Sequence, residues 1–310
     1  MKRTIFALLL SCASFLYAQK STYDFLRLDM NARVAALNGS FVSMTDDPNV
    51  LFYNPAALTT MTAARVSASY FKHLLDVNAG SLAYAQYAEG VGNFGLGISY
   101  IDYGSFTQTD AAMNELGTFG ARELAVVGGI GAAIDEATTY GINAKIIYSS
   151  IAEYNSSAFA VDAGILYQIP SENITVGASL LNLGRQLSTY AGQRESLPTD
   201  LKVGITKRPE HLPVLLNLDL HKLNESQDNF FDRFKTFSFG AEFLMSESFR
   251  LRLGYSNEQR RELKLGTSQG LAGFSLGGGL VLRDYVVDYA FNSYGKIGGL
   301  HRISVGMRFE

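Results

Sequence analysis

Residues 300–309 carry His301, Ile303, Val305, Met307 and Phe309 on one face of an extended chain and Arg302, Ser304, Gly306 and Arg308 on the other. Successive side chains of a β-strand point to opposite faces, so this is a ribbon with one apolar and one charged side. The alternation recurs in runs of about ten residues, the length of a membrane-crossing strand. Leu216, Leu218 and Leu220 oppose Asn217, Asp219 and His221; Phe237, Phe239, Ala241 and Phe243 oppose Ser238, Gly240 and Glu242. Charges fall in the middle of such runs, among them Lys145, Asp162, Asp219, Glu242, Arg250, Arg252, Asp288, Arg302 and Arg308. A Lys or Arg facing lipid at the bilayer midplane costs about 2–4 kcal/mol, so these side chains must face inward if the chain crosses a membrane.

Composition narrows the field. With 47% hydrophobic and 18% charged residues the chain is not disordered, and a net charge of −3 leaves no basic footprint for nucleic acid. Lys2 and Arg3, an apolar stretch over 5–15, and Leu16-Tyr17-Ala18 before Gln19 predict a signal peptide over 1–18 and export from the cytoplasm. A lipoprotein cleavage before Cys12 is the weaker reading, because it leaves a very short apolar core and an unusual Leu10. Cys12 is the sole cysteine, so its removal with the signal leaves no disulfide. Beyond the signal no run reaches the roughly 20 apolar residues of a membrane helix, so any crossing must be made by strands.

Residues 19–62 differ from the rest. The stretch 31–37 suits a short helix, Asp46-Asp47-Pro48-Asn49 a turn, and Asn54-Pro55-Ala56 an irregular segment, since proline restricts both itself and the residue before it. This predicts a hatch, or plug, at one end of a barrel over 63–310. Strand-like runs fall near 63–73, 78–88, 91–103, 121–134, 138–150, 157–169, 173–184, 199–208, 213–222, 234–245, 248–256, 271–282, 284–292 and 300–309. About fourteen is an even number, as outer-membrane barrels have. Short turns alternate with mostly longer connections near 104–120, 185–198, 223–233 and 257–270, the last including the apolar 263–265 as loop. Periplasmic turns are short and outer loops long in such barrels, and the parity returns the C-terminus to the periplasm. The predicted fold is therefore all-β, a transmembrane outer-membrane barrel of about 14 antiparallel strands. Its 17 Tyr and 20 Phe supply interfacial girdles, although Trp is absent.

Motifs for chemistry fail on context. Gly90-Val91-Gly92-Asn93-Phe94-Gly95 has dinucleotide-binding spacing but leads into a strand instead of a helix. The run 266–270 has nucleophile-elbow spacing around Ser268, with Asp284 or Asp288 and then His301 in hydrolase order, yet residues 271–279 after it are glycine-rich and strand-like. His73, His211, His221 and His301 lack metal-ligand spacing. Asp46-Asp47-Pro48-Asn49 lacks the glycine and distal glutamate of a calcium loop, and reads better as a turn with a helix cap. No catalytic, cofactor-binding or metal site is predicted, and the chain reads as a non-enzyme.

The stretches 23–28 and 32–39, with Asp46-Asp47-Pro48 and Asn54-Pro55-Ala56-Ala57-Leu58, resemble the PorV/PorQ outer-membrane proteins of the type IX secretion system. Asn182-Leu183-Gly184, Leu197-Pro198, 287–291 and His301-Arg302-Ile303-Ser304 extend the resemblance. The stretches 101–106 and 213–223 are closer to its PorQ-like members. Asn38 stands where the family usually has glycine, and Glu310 follows the expected terminal aromatic Phe309. The resemblance implies a fatty-acid-transporter-like barrel of fourteen strands with an N-terminal hatch. It also implies work in a machinery that exports proteins bearing a C-terminal sorting domain and attaches them to the cell surface. PorQ-like members are associated there with the surface protein PorZ, and PorV-like members with cargo and the sortase PorU. The expected partners are thus outer-membrane lipid and other type IX components, with the outer loops as docking surface. A channel for hydrophobic small molecules, with Asn54, Pro55 and Ala56 as a gate element, stays open as the alternative.

Overall fold

The period-two segments pair in chain order, as antiparallel neighbours joined by short connections must. The computed structural model describes residues 22–72, 77–225, 229–263 and 270–309. Among these, fourteen strands run as β1 (Arg65–Lys72), β2 (Asn78–Ala88), β3 (Gly92–Thr109), β4 (Glu115–Ala133), β5 (Thr138–Ile151), β6 (Tyr154–Ile169) and β7 (Ile174–Ser188). They continue as β8 (Asp200–Lys207), β9 (Val214–Leu220), β10 (Phe237–Leu244), β11 (Phe249–Ser256), β12 (Phe274–Leu282), β13 (Tyr285–Ser293) and β14 (Gly299–Arg308). Each pairs with its neighbours, and β1 closes on β14 with Arg65 opposite Arg308 and Lys72 opposite His301. Closure leaves no unpaired edge within the wall. Two short helices, α1 (Ala32–Ala36) and α2 (Asn257–Glu262), accompany the strands. The proposed signal peptide with Cys12, together with His73, Ser268, the 264–265 part of the apolar loop piece and Glu310, lies outside the described residues.

The two faces of the wall are as different as the sequence is. Along β5, Tyr140, Ile142, Ile146 and Tyr148 are exposed, while Gly141, Asn143, Lys145 and Ile147 are buried. The exposed face carries an apolar belt that includes Leu82, Leu96, Ile130, Leu253, Leu276 and Ile303, which suits hydrocarbon. Tyr70, Tyr100 and Tyr148 ring one end of this belt, and Tyr87, Tyr140, Tyr167 and Tyr285 the other, so tyrosine builds the girdles without tryptophan. Lys145, Asp162, Asp219, Glu242, Arg252, Asp288 and Arg302 all turn into the lumen and are buried there.

One end of the barrel has tight turns. The β12–β13 turn is Arg283-Asp284, with Arg283 in the left-handed region at φ 55°. At the β4–β5 turn the Asp135 carboxylate accepts from the Ala137 and Thr138 N–H groups and the Thr138 hydroxyl, which holds it below the usual carboxylate range. Both β1 and β14 have an end on this side, the periplasmic one by the loop asymmetry.

The opposite end departs from the predicted loops. Much of 104–120 is strand: β3 and β4 run on past their other neighbours as a two-stranded hairpin with Ser105 opposite Gly120 and Thr107 opposite Thr118. A register shift between Asp102 and Ser105 separates this hairpin from the wall, and Phe106 stacks on Phe119 at 5.4 Å. Both of its faces meet water, so no apolar alternation marks it. The connection 257–270 likewise begins with α2, whose N-cap Ser256 accepts from the Gln259 N–H through its hydroxyl. The Ser-x-x-Gln spacing of a capping box was present in the sequence.

Candidate functional site: the hatch and the lumen it fills

A lumen lined by charges needs partners for them, because a buried polar group without one costs several kcal/mol. Residues 22–62 supply those partners from inside the barrel, and nearly all of 30–58 is buried. The N-cap Asn31 accepts from the Arg33 and Val34 N–H groups and donates to the hydroxyls of Ser67 and Ser69 on β1, each at 3.1 Å. The Ala32 N–H donates to Ser304 of β14 at 2.7 Å. At the C-terminal end of α1 the carbonyls of Ala35 and Ala36 accept from Asn292 and Ser275. Asn38 adopts φ 50°, a conformation that asparagine tolerates better than most residues. Its side chain also donates to the Gly273 carbonyl at 2.8 Å and accepts from Asn292 at 3.1 Å.

Inward glycines make room for this segment. A Cβ on Gly277 would sit 2.4 Å from the Ala36 Cβ, and one on Gly141 2.4 Å from the Pro55 carbonyl oxygen. Asn54, Pro55 and Ala56 thus lie buried against β5, β6 and β7. Asn54 caps its own 3-10 turn through the Ala56 N–H and donates to the carbonyls of Val42 at 2.8 Å and Ile165 at 3.0 Å. Asp219 on β9 receives the N–H groups of Phe41 and Val42 at 2.7 and 2.8 Å. Asn54→Ala is expected to cost about 1–3 kcal/mol, because the Val42 and Ile165 carbonyls lose a donor while buried. Urea unfolding in detergent or lipid, read by tryptic accessibility of the hatch, measures it.

The strongest electrostatic feature is a chain of ions across the lumen. Glu242 accepts from Arg33 Nε and Nη2, both at 2.9 Å, and from Arg252 Nε at 2.5 Å. Arg33 Nη1 continues to Asp47 at 2.8 Å, and Arg252 Nη1 to Asp288 at 2.6 Å. A second cluster joins Lys145 to Asp162 at 2.9 Å and to Asn182 at 2.8 Å. The acidic turn is engaged as well: Asp47 caps Asn49 at 2.9 Å and binds Arg33, and Asp46 binds Arg65 at 2.7 Å. These contacts give it structural work, as the turn-and-cap reading expects.

The remaining motif residues do not converge. Asp288 faces the lumen in its ion pair, whereas His301 lies on the outer face with Nδ1 2.6 Å from the Tyr289 hydroxyl. Asp284 lies in the periplasmic turn at the other end of the wall. His211 is exposed in the β8–β9 turn, and His221 lies 3.4 Å from Glu258 on the outer side. Gly90 in the β2–β3 turn and Gly92 at the start of β3 have positive φ, so the glycine motif joins strand to strand.

Two spaces flank the hatch. On the outer side, a crevice among Phe25, Leu28, Met30, Lys145 and Lys202 measures about 40 Å³, room for a few waters. Tyr23, Phe25 and Met30 fill the lumen above it together with Phe71, Ile101, Ile147 and Leu197. Leu197 belongs to a strap over the mouth, held where Thr22 N–H meets the Ser196 carbonyl at 3.1 Å and Asn182 donates to the Pro198 carbonyl at 3.2 Å. On the periplasmic side a vestibule of about 660 Å³ opens below the ion chain. The sequence marked the lumen-facing charges but not the strap or the vestibule, whose residues come from many turns.

No protein-family model and no curated protein matches the chain. Solved structures do. A Pseudomonas aeruginosa FadL homologue aligns over 91% of this chain and 98% of its own, at 10% identity and TM-score 0.57. The Ralstonia pickettii toluene transporter TbuX aligns over 90% and 98%, at 12% identity and TM-score 0.59. A mutant of the TodX monoaromatic hydrocarbon channel aligns over the same shares, at 12% identity and TM-score 0.60. The fold is that of FadL-like outer-membrane transporter barrels, a closed antiparallel barrel of fourteen strands.

Proposed function

We propose that this outer-membrane barrel is a closed scaffold in a type IX-like secretion assembly, PorQ-like in its work, which holds a PorZ-like surface protein at its outer loops. The observation that carries this reading is the filled lumen, where a crevice of about 40 Å³ lies above a hatch bonded to the wall. A barrel so filled offers its rim, not its bore, and the paired β3–β4 hairpin extends that rim outward. Components of the PorU or PorV kind are the further partners of this reading, and no catalysis is assigned to the chain. Affinity capture through a periplasmic C-terminal tag, after mild detergent extraction of native outer membranes, is expected to recover a surface protein in near-stoichiometric amount. Recovery of the barrel alone would overturn the proposal.

The solved neighbours favour a second reading over the first: a channel for hydrophobic small molecules. The outer crevice is apolar on one side, with Phe25, Leu26, Leu28 and Met30. Its 40 Å³ is far below the roughly 300–1,000 Å³ of a ligand pocket, so transport requires the hatch to move. Uptake of a radiolabelled fatty acid or of toluene by cells with and without the barrel separates the two. Uptake that depends on the barrel while surface attachment of exported proteins stays normal selects the channel.

A further inference from the structure

The periplasmic vestibule carries more cations than its ion pairs use. Seven arginines and five acids line it. Arg33, Arg65 and Arg252 are engaged by Asp46, Asp47, Glu242 and Asp288. Among the described residues, the guanidinium groups of Arg208, Arg250, Arg283 and Arg308 make no ion pair or hydrogen bond, and Asp284 alone stays free on the acidic side. Arg250 is the telling member. It is half-buried on the lumen face of β11, one step below Arg252, whose carboxylate partners are already engaged. A partly desolvated cation beside other cations is costly unless an anion joins it. The other three lie on the exposed rim and extend the positive track toward the periplasm.

We infer that this vestibule receives an acidic peptide segment presented by a periplasmic partner. Guanidinium forks match carboxylates two bonds at a time. Leu215, Leu244, Val281 and Val286 line the same space from the lumen face, and they suit apolar side chains set between those carboxylates. A small inorganic anion would leave these walls uncovered. A volume of about 660 Å³ lies in the range of formed ligand pockets, enough for a few residues of peptide. The inference needs only the periplasmic orientation of the short turns and stands apart from the secretion and channel readings.

The test uses the full-length barrel in detergent and a short fluorescein-labelled peptide alternating Glu with Val, followed by anisotropy. Binding is expected at low salt, with strong weakening at ~0.5 M salt, where charges are screened within a few ångströms. The variant combining Arg250→Gln, Arg283→Gln and Arg308→Gln is expected to bind about tenfold more weakly, the combined effect of removing three partly exposed charges. Arg208→Gln alone, on the exposed rim, is expected to weaken binding about twofold with an unchanged melt, which separates an effect on binding from an effect on folding. Equal binding of the peptide with Lys in place of Glu, or full affinity in the triple variant, would overturn the inference. So would tripolyphosphate binding more tightly than the peptide with the same arginine dependence, which marks a phosphate site instead.

Discussion

Glu242→Gln is expected to destabilise the folded barrel by about 3–5 kcal/mol, the usual cost of removing one member of a buried ion network. The carboxylate serves two arginines at once, at 2.9 Å and 2.5 Å, and is itself almost fully buried. A neutral amide leaves Arg33 and Arg252 facing each other with only Asp47 and Asp288 at the far ends of the chain. A lower urea midpoint and loss of heat-modifiable migration measure the effect. Arg122→Gln is the control: its pair with Asp102 at 3.1 Å is 68% exposed on the arginine side, so a change below about 1 kcal/mol is expected. Equal responses of the two variants would show that the ion chain does not hold the hatch.

Gly141→Val is the second large effect. The new Cβ would meet the Pro55 carbonyl carbon at 2.3 Å, its oxygen at 2.4 Å and the Ala56 nitrogen at 2.5 Å. All three are backbone atoms, so no side-chain rotation relieves the clash and either β5 or the hatch must move. Overpacking of this kind costs about 1–3 kcal/mol, and more where backbone is the obstacle. The hatch is the part free to yield, because the barrel wall is hydrogen-bonded on both sides. The variant is therefore expected to conduct ions in planar bilayers where the parent protein does not. Gly128→Ala, on the lipid face with its nearest neighbour a Leu96 methyl at 3.5 Å, is expected to behave as the parent. A silent, fully stable Gly141→Val would show that the hatch does not depend on its seat against β5.

The sequence betrayed what the membrane imposes and little else. Lipid on one side and polar contacts on the other force a strict period of two, so the inward placement of Lys145, Arg252 and Arg302 was legible, and so was the number of strands. That same period separates His301 from the lumen face of Arg302 and Ser304, which dissolves the resemblance to a hydrolase triad. Where the membrane stops, the signal stops: the hairpin that pairs Ser105–Thr109 with Glu115–Gly120 carries polar residues on both faces and reads as loop. Partner choice was also hidden. Nothing local in Arg33 or Ala32 announces Glu242 or Ser304, 209 and 272 residues away. The two side-chain bonds of Asn38, to Gly273 and Asn292, were equally out of sight.

The cap of α1 touches β1 through Ser67 and Ser69 and β14 through Ser304, which are the first and last strands of the wall. That pairing is the one the chain must make between its two ends, and bringing ends so far apart together costs about 5 kcal/mol of loop entropy. The hatch bridges the seam as well as filling the lumen, and it is expected to clasp that seam during assembly. Trimming that segment would then delay or prevent closure of the cylinder, so the yield of folded protein would suffer before any pore had formed to be opened.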